Sequence, residues 1–396
     1  MITYLKKSVI MCQNKIIRVG GDSESVNFLR FPLAVLVVFV HGFGKHIDVT
    51  QLHASGFTGI AIYDYIRLFI SEVIARSAVP IFFFISGYLL FFKVKEYSKS
   101  IYIAKLRKRW HSLVVPYFSW IFLMILWTLM FKLRDILFHG ESWHEILEYF
   151  RGNGYLHMFW NGCVWEERTT WLGIVTHISG PVLLPFWYMR DLMVLVLFSP
   201  IVYWFIKKLG FWGVGLLVAI YTFDIRVAWI SDTFASAGLF FSVGAYFSIN
   251  KQDFTDVLWK WRNVIFPLAL VLIVWQTYTA SFMGDMVSVM IHPWLVIVQS
   301  FALIILASVL CRHKRLYLWN KKLSKTSFFI YALHPFVLGH VISIITKVMP
   351  MGNTWYMMII SYLTAPLACV AICVSVFFIA QRLCPKVLGV LVGVRK

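Results

Sequence analysis

The chain has 396 residues, 60% of them apolar and only 14% charged, with a mean hydropathy of +0.75. Soluble domains carry about a quarter charged residues, so a water-soluble globule, a disordered chain and a fibrous repeat are excluded. The net charge of +19, from 37 Lys and Arg against 18 Asp and Glu, is therefore first a question of membrane orientation and only then one of nucleic acid.

The apolar runs predict ten spans, at about 28–45, 68–92, 112–131, 186–206, 211–230, 234–249, 263–282, 293–311, 328–348 and 356–381. They are continuous rather than alternating, which argues against a β-barrel, and the 18% aromatic content suits many interface crossings. The basic residues collect before the first span, over 93–109, at Lys207-Lys208, over 251–262, over 312–325 and from Arg382 onward. That alternation predicts an all-α polytopic bundle with both termini inside. Residues 1–25 read as a cytoplasmic segment without a cleavable signal, 26–382 as one transmembrane domain and 383–396 as a cytoplasmic tail.

In the first span Arg30 and His41 lie eleven residues apart, which at 100° per residue puts them on nearly one face, about 16 Å apart along the axis. A snorkelling anchor would explain Arg30 alone, and a hydrogen-bonded packing residue would explain His41 alone. Their shared face favours a site. Pro32 is expected at the start of the helix, where it costs little. In the second span Glu72 and Arg76 have ion-pair spacing, which lowers the cost of placing both in hydrocarbon. They precede an aromatic run ending in Ser86-Gly87, a small step where a helix or a ligand can approach closely. The basic cluster Lys105 to Arg109 suits phosphate, although orientation alone would also place it there.

The insert at about 132–185 is expected outside and collects Asp135, Glu141, Glu145, Glu148, Glu166 and Glu167. Within it Trp143, Ile146, Leu147 and Phe150 predict an amphipathic helix, either a lid or a seal on the bundle. The six cysteines, at 12, 163, 311, 369, 373 and 384, offer neither a disulfide pair on the outer side nor zinc spacing with His, so no metal is expected.

Five elements then occur in one order. They are Arg30-x10-His41; Arg76-x3-Pro80-x-Phe82-Phe83-x-x-Ser86-Gly87-Tyr88; Arg109 leading to Pro116-Tyr117; Pro185-Phe186-Trp187-Tyr188-Met189-Arg190-Asp191-Leu192; and Ser327-Phe328-Phe329-Ile330-Tyr331-Ala332-Leu333-His334-Pro335. Together they resemble the integral membrane acyltransferase family 3, which O-acylates bacterial surface polysaccharides and other cell-envelope glycans. Phe31 replaces the usual Gly after the first arginine, and Met189 replaces the usual Leu.

The resemblance implies a multi-pass protein of the bacterial inner membrane. It implies acyl-CoA, acetyl-CoA first among the candidates, as donor substrate, and a glycan or lipid-linked saccharide as acceptor. On that basis Arg30, Arg76 and Arg109 would bind the donor's phosphates or thioester region, since guanidinium offers planar paired donors. His41 would be the general base or a transient acyl carrier. Glu72 would orient Arg76 or serve only as its counter-ion. Trp187 would wall the acyl or sugar site or anchor the interface, and His334 would line the same cavity or cap its helix. The rival reading is a proton-coupled transporter or flippase, in which Arg, Glu, Asp224 and His form a relay. No repeat between the halves supports it, and a purely structural role leaves the shared face of Arg30 and His41 unexplained.

Overall fold

The computed structural model describes residues 21–42, 59–161, 163–169, 175–223, 233–282, 285–348 and 355–393. Cys12 and Asp224 lie outside the described residues, as do the side chains of Cys163, Glu166 and Glu167. Among the described residues seven helical stretches are long and apolar enough to cross a membrane: Asp22–His41, Ile62–Phe91, Lys99–His139, Ser199–Thr222, Met290–Leu310, Lys314–Val348 and Trp355–Leu383. An eighth is added if Phe254–Lys260 and Arg262–Tyr278, bent by 76°, form one span, and Phe234–Ile249 is a shorter apolar helix.

The first helix, α1, runs from Asp22 to His41 and so begins before the expected start at about residue 28. Pro32 is consequently interior. A proline supplies no N–H to the carbonyl four residues earlier, and here the freed Phe28 carbonyl accepts from Asn320 Nδ2 at 2.9 Å in the buried core. The second span is composite: α2 (Gly59–Arg67), a π-helical stretch (Leu68–Ile74), a 3₁₀ turn (Ala75–Ser77) and α3 (Ala78–Phe91). α4 (Lys99–Arg109) passes through a second π-helical stretch (Trp110–Val114) into α5 (Val115–His139).

The insert departs most from expectation. Its amphipathic helix is present as α6 (His144–Gly152), with no buried residue. Beyond it the chain does not stay on a surface. Met158, Leu183 and Phe186 are buried in the main core. Tyr117 donates to the Phe159 carbonyl at 2.6 Å, and Phe186 stacks between Tyr117 at 5.8 Å and Tyr331 at 5.5 Å. Between these buried stretches, β1 (Cys163–Thr169) pairs antiparallel with β2 (Val175–Gly180), so the fold is predominantly rather than wholly helical. The segment's Val and Thr content favours strand. A buried Arg190 ties the hairpin to the bundle, donating to the carbonyls of Trp160 at 3.1 Å and Ser179 at 3.0 Å.

The expected span at 186–206 is two helices, α7 (Trp187–Leu197) and α8 (Ser199–Thr222). Pro200 withdraws the donor for the Val196 carbonyl, and the Ser199 hydroxyl takes its place at 2.6 Å. Within α8, Gly210 leaves helical geometry (φ 53°, ψ −128°) just after Lys207-Lys208, where the sequence places a boundary. There follow α9 (Phe234–Ile249), α10 (Phe254–Lys260), α11 (Arg262–Phe282), α12 (Asp285–Leu310), α13 (Lys314–Leu323), α14 (Ser327–Val348), α15 (Trp355–Leu383) and α16 (Pro385–Leu391).

With lipid as apolar as the side chains, close backbone packing rather than hydrophobic transfer joins helices. α3 and α9 show it: a Cβ on Gly87 would lie 1.9 Å from the Phe241 carbonyl oxygen, and one on Gly244 would lie 2.0 Å from that of Phe84. Gly87→Val must push the two helices apart, at a cost on the order of 1–3 kcal/mol or more. Its unfolding midpoint in detergent, followed by fluorescence-detected gel filtration, is expected to fall several degrees. An unchanged midpoint would contradict this packing.

Candidate active site

His41 ends α1, and His334 lies two turns into α14. Their rings stack with centroids 5.3 Å apart and planes inclined by 30°. Gly42, which follows His41, lets α1 end against Pro366 of α15, since a Cβ there would lie 2.8 Å from the proline Cγ. Two positions 293 residues apart are thus brought to one place.

The charges acting on His41 are Arg76 and Glu72. Arg76 donates to Glu72 Oε2 through Nε at 3.0 Å and through an Nη at 2.5 Å, as the four-residue spacing predicts. Their side chains keep 36% and 32% of their surface open. The pair straddles the change from π-helix to 3₁₀ turn, which leaves carbonyls unmatched. Gln299 of α12 supplies donors, bonding the Val73 carbonyl at 2.9 Å, the Ile74 carbonyl at 3.0 Å and the Ser77 hydroxyl.

A second group forms lower on α1. Arg30 and Arg109 both interact with Tyr188, and with each other. Of the expected basic cluster Arg109 reaches this point and a half-buried Lys105 interacts with it, while Arg107 and Lys108 are exposed. Tyr188 shares a 3.2 Å hydrogen bond with Ser86. Trp187 packs beside Phe83 at 6.4 Å, within the bundle rather than as an interface anchor, and does not stand among the histidines. Tyr331 joins the two groups: its ring is 5.9 Å from Tyr188 and 6.5 Å from His334, and its hydroxyl donates to the Pro185 carbonyl.

Sequence reasoning quoted Tyr188 and Tyr331 within motifs without a role, and it missed Gln299 and a buried pair, Asp64 and Arg67, whose Nε and Oδ1 are 3.5 Å apart. The pair's three-residue spacing was a usable signal, hidden by starting the span at residue 68.

A family model described as an acyltransferase domain matches residues 23–380. The succinoglycan biosynthesis protein ExoH of Rhizobium meliloti (strain 1021) is 26% identical over 182 residues, 45% of this chain and 42% of that protein. The matched region thus spans less than half the length of that curated relative. No solved structure matches significantly.

Gln299→Leu keeps bulk but removes every donor. Leaving the buried Val73 and Ile74 carbonyls unpaired costs on the order of 1–3 kcal/mol each. The unfolding midpoint in detergent is expected to drop clearly below that of wild type, and an equal midpoint would show that the Gln299 bonds carry no weight.

Proposed function

Since the chain belongs to the acyltransferase family whose model covers residues 23–380, we propose that it is a membrane O-acyltransferase moving an acetyl group from acetyl-CoA to a hydroxyl of a cell-surface glycan or glycolipid. The observation that carries this reading is the stacked pair His41 and His334 beside the open Glu72–Arg76 pair. Two imidazoles supply base and acceptor nitrogens, and a guanidinium is suited to a thioester carbonyl or a phosphate. The relative's name refers to biosynthesis of succinoglycan, a polysaccharide, which favours a glycan acceptor.

In this reading the protein is a ten-span, multi-pass component of the bacterial inner membrane with both termini in the cytoplasm. Arg30 and Arg109 hold the phosphates of coenzyme A at the cytoplasmic mouth, with Tyr188 between them. Arg76, oriented by Glu72, polarises the thioester carbonyl. His41 is the general base, or it carries the acyl group in transit. Trp187 and Phe83 wall the passage. The acceptor is presented outside, so transfer crosses the membrane.

His41→Ala is expected to abolish transfer of radiolabelled acetyl from acetyl-CoA to glycan in membranes, with abundance near wild type, because positioned proton transfer alone contributes on the order of 100- to 10,000-fold. Retention of most of the rate would remove His41 from the reaction. Solute flux without acetylated product would favour a carrier instead.

Arg30→Lys is expected to raise the KM for acetyl-CoA less than Arg30→Ala does, yet without restoring the wild-type value, since a point charge lacks the paired guanidinium donors. If Arg30→Lys matches wild type, Arg30 is an orientation anchor. Sealed vesicles with acetyl-CoA confined to the cytoplasmic face and an impermeant glycan outside test direction. Acetylation only when both share the cytoplasmic face would overturn transfer across the membrane.

A further inference from the structure

The two imidazoles are not equivalent, and their difference lies in how each is held. His334 Nδ1 lies 3.2 Å from the Ile330 carbonyl. A carbonyl can only accept, so Nδ1 carries the proton and Nε2 the lone pair. Pro335 strengthens the arrangement by leaving the Tyr331 carbonyl without its helical N–H, and the same imidazole also engages the backbone at Tyr331. His334 is fully buried, and its Nε2 has no hydrogen-bond partner among the described residues. A buried lone pair without a partner is costly unless a ligand completes it. The ring stacked on that of His334 is His41, whose neighbouring charges are those of the Glu72–Arg76 pair.

We propose that His334 Nε2, in place of His41, is the base that takes the proton of the acceptor hydroxyl, which leaves His41 on the donor side of the reacting carbon. This rests on the acyl-transfer reading above. The hydroxyl oxygen bonds to the acyl carbon as its proton passes to Nε2. The carbon–sulfur bond breaks with its electron pair on sulfur, and the thiolate leaves with the proton returned from the imidazolium. If the acyl group has first moved to a nitrogen of His41, the bond broken is carbon–nitrogen and that nitrogen receives the proton. In both cases the backbone carbonyls facing Nδ1–H hold the tautomer and face the positive charge as it forms, a task that a carboxylate performs in hydrolase triads.

The test uses the full-length protein in membranes, with radiolabelled acetyl-CoA and a surface glycan. His334→Asn places an amide N–H where Nδ1 stands and keeps the bond to Ile330, but has nothing at Nε2. His334→Gln places an amide near Nε2, without basicity. Both are expected to lose transfer by on the order of 100- to 10,000-fold while the KM for acetyl-CoA stays within about twofold of wild type. Imidazole added to His334→Gly is expected to restore part of the rate, which a packing role would not allow. Either amide variant transferring at more than a tenth of the wild-type rate would overturn the assignment, as would a KM for acetyl-CoA rising by the factor lost in rate. Wild type without any transfer overturns the acyl-transfer reading and this assignment with it, whereas an active wild type beside an active His334→Asn overturns the assignment alone.

Discussion

A backbone carbonyl that loses its helical donor inside an apolar bundle must find another, because hydrocarbon offers none. This chain creates the problem repeatedly. Pro32 frees the Phe28 carbonyl and Asn320 answers it; Pro200 frees that of Val196 and Ser199 answers; the π and 3₁₀ stretches free those of Val73 and Ile74 and Gln299 answers. Asn320, Ser199 and Gln299 in the core are therefore accounted for by backbone irregularity.

The irregularities also decide where chemistry is possible. A regular helix presents its side chains on a fixed spiral and keeps its carbonyls occupied, whereas a π-helical stretch shifts the side chains that follow it and opens local space. Arg76 closely follows one such stretch and Arg109 opens the other. The proline after His334 works in the same sense, since it turns a helical carbonyl into an acceptor for the imidazole. Function and strain share positions here because the bends that bring Arg30, Arg109 and Tyr188 to one end and the histidines to the other cannot be made from unbroken helix.

How much of this was legible follows from how local each relation is. The Glu72–Arg76 pair needs only a four-residue spacing and was read correctly, as was the small step at Gly87, which proves to be a helix contact rather than a ligand contact. The common face of Arg30 and His41 survives because α1 is continuous, although its early start moved Pro32 inside. Asn320 with Phe28 and Gln299 with Val73 join positions 292 and 226 residues apart, and a lone amide in an apolar run carries no mark of its partner. The insert's amphipathic helix is legible and its hold on the bundle is not, for a related reason. Its charges and Trp residues signal a surface, and they mask Met158 and Leu183, which are buried in the main core.

That buried insert bears on the site. Tyr117 lies midway along the Lys99–His139 stretch and Tyr331 midway along Lys314–Val348, so Phe186 between them sits at mid-depth of the bundle, against a tyrosine one helical turn from His334. His41 ends α1, about 16 Å beyond Arg30 at 1.5 Å per residue. Beside Phe186, Trp187 packs against Phe83, and the polar residues nearest Tyr188 are Arg30, Arg109 and Ser86. A phosphate-bearing donor held by Arg30 needs an arm on the order of 16 Å to deliver its acyl group to the histidines, a length set by the same axial rise. On the acyl-transfer reading, the helical spacing of Arg30 and His41 is what separates the two substrates.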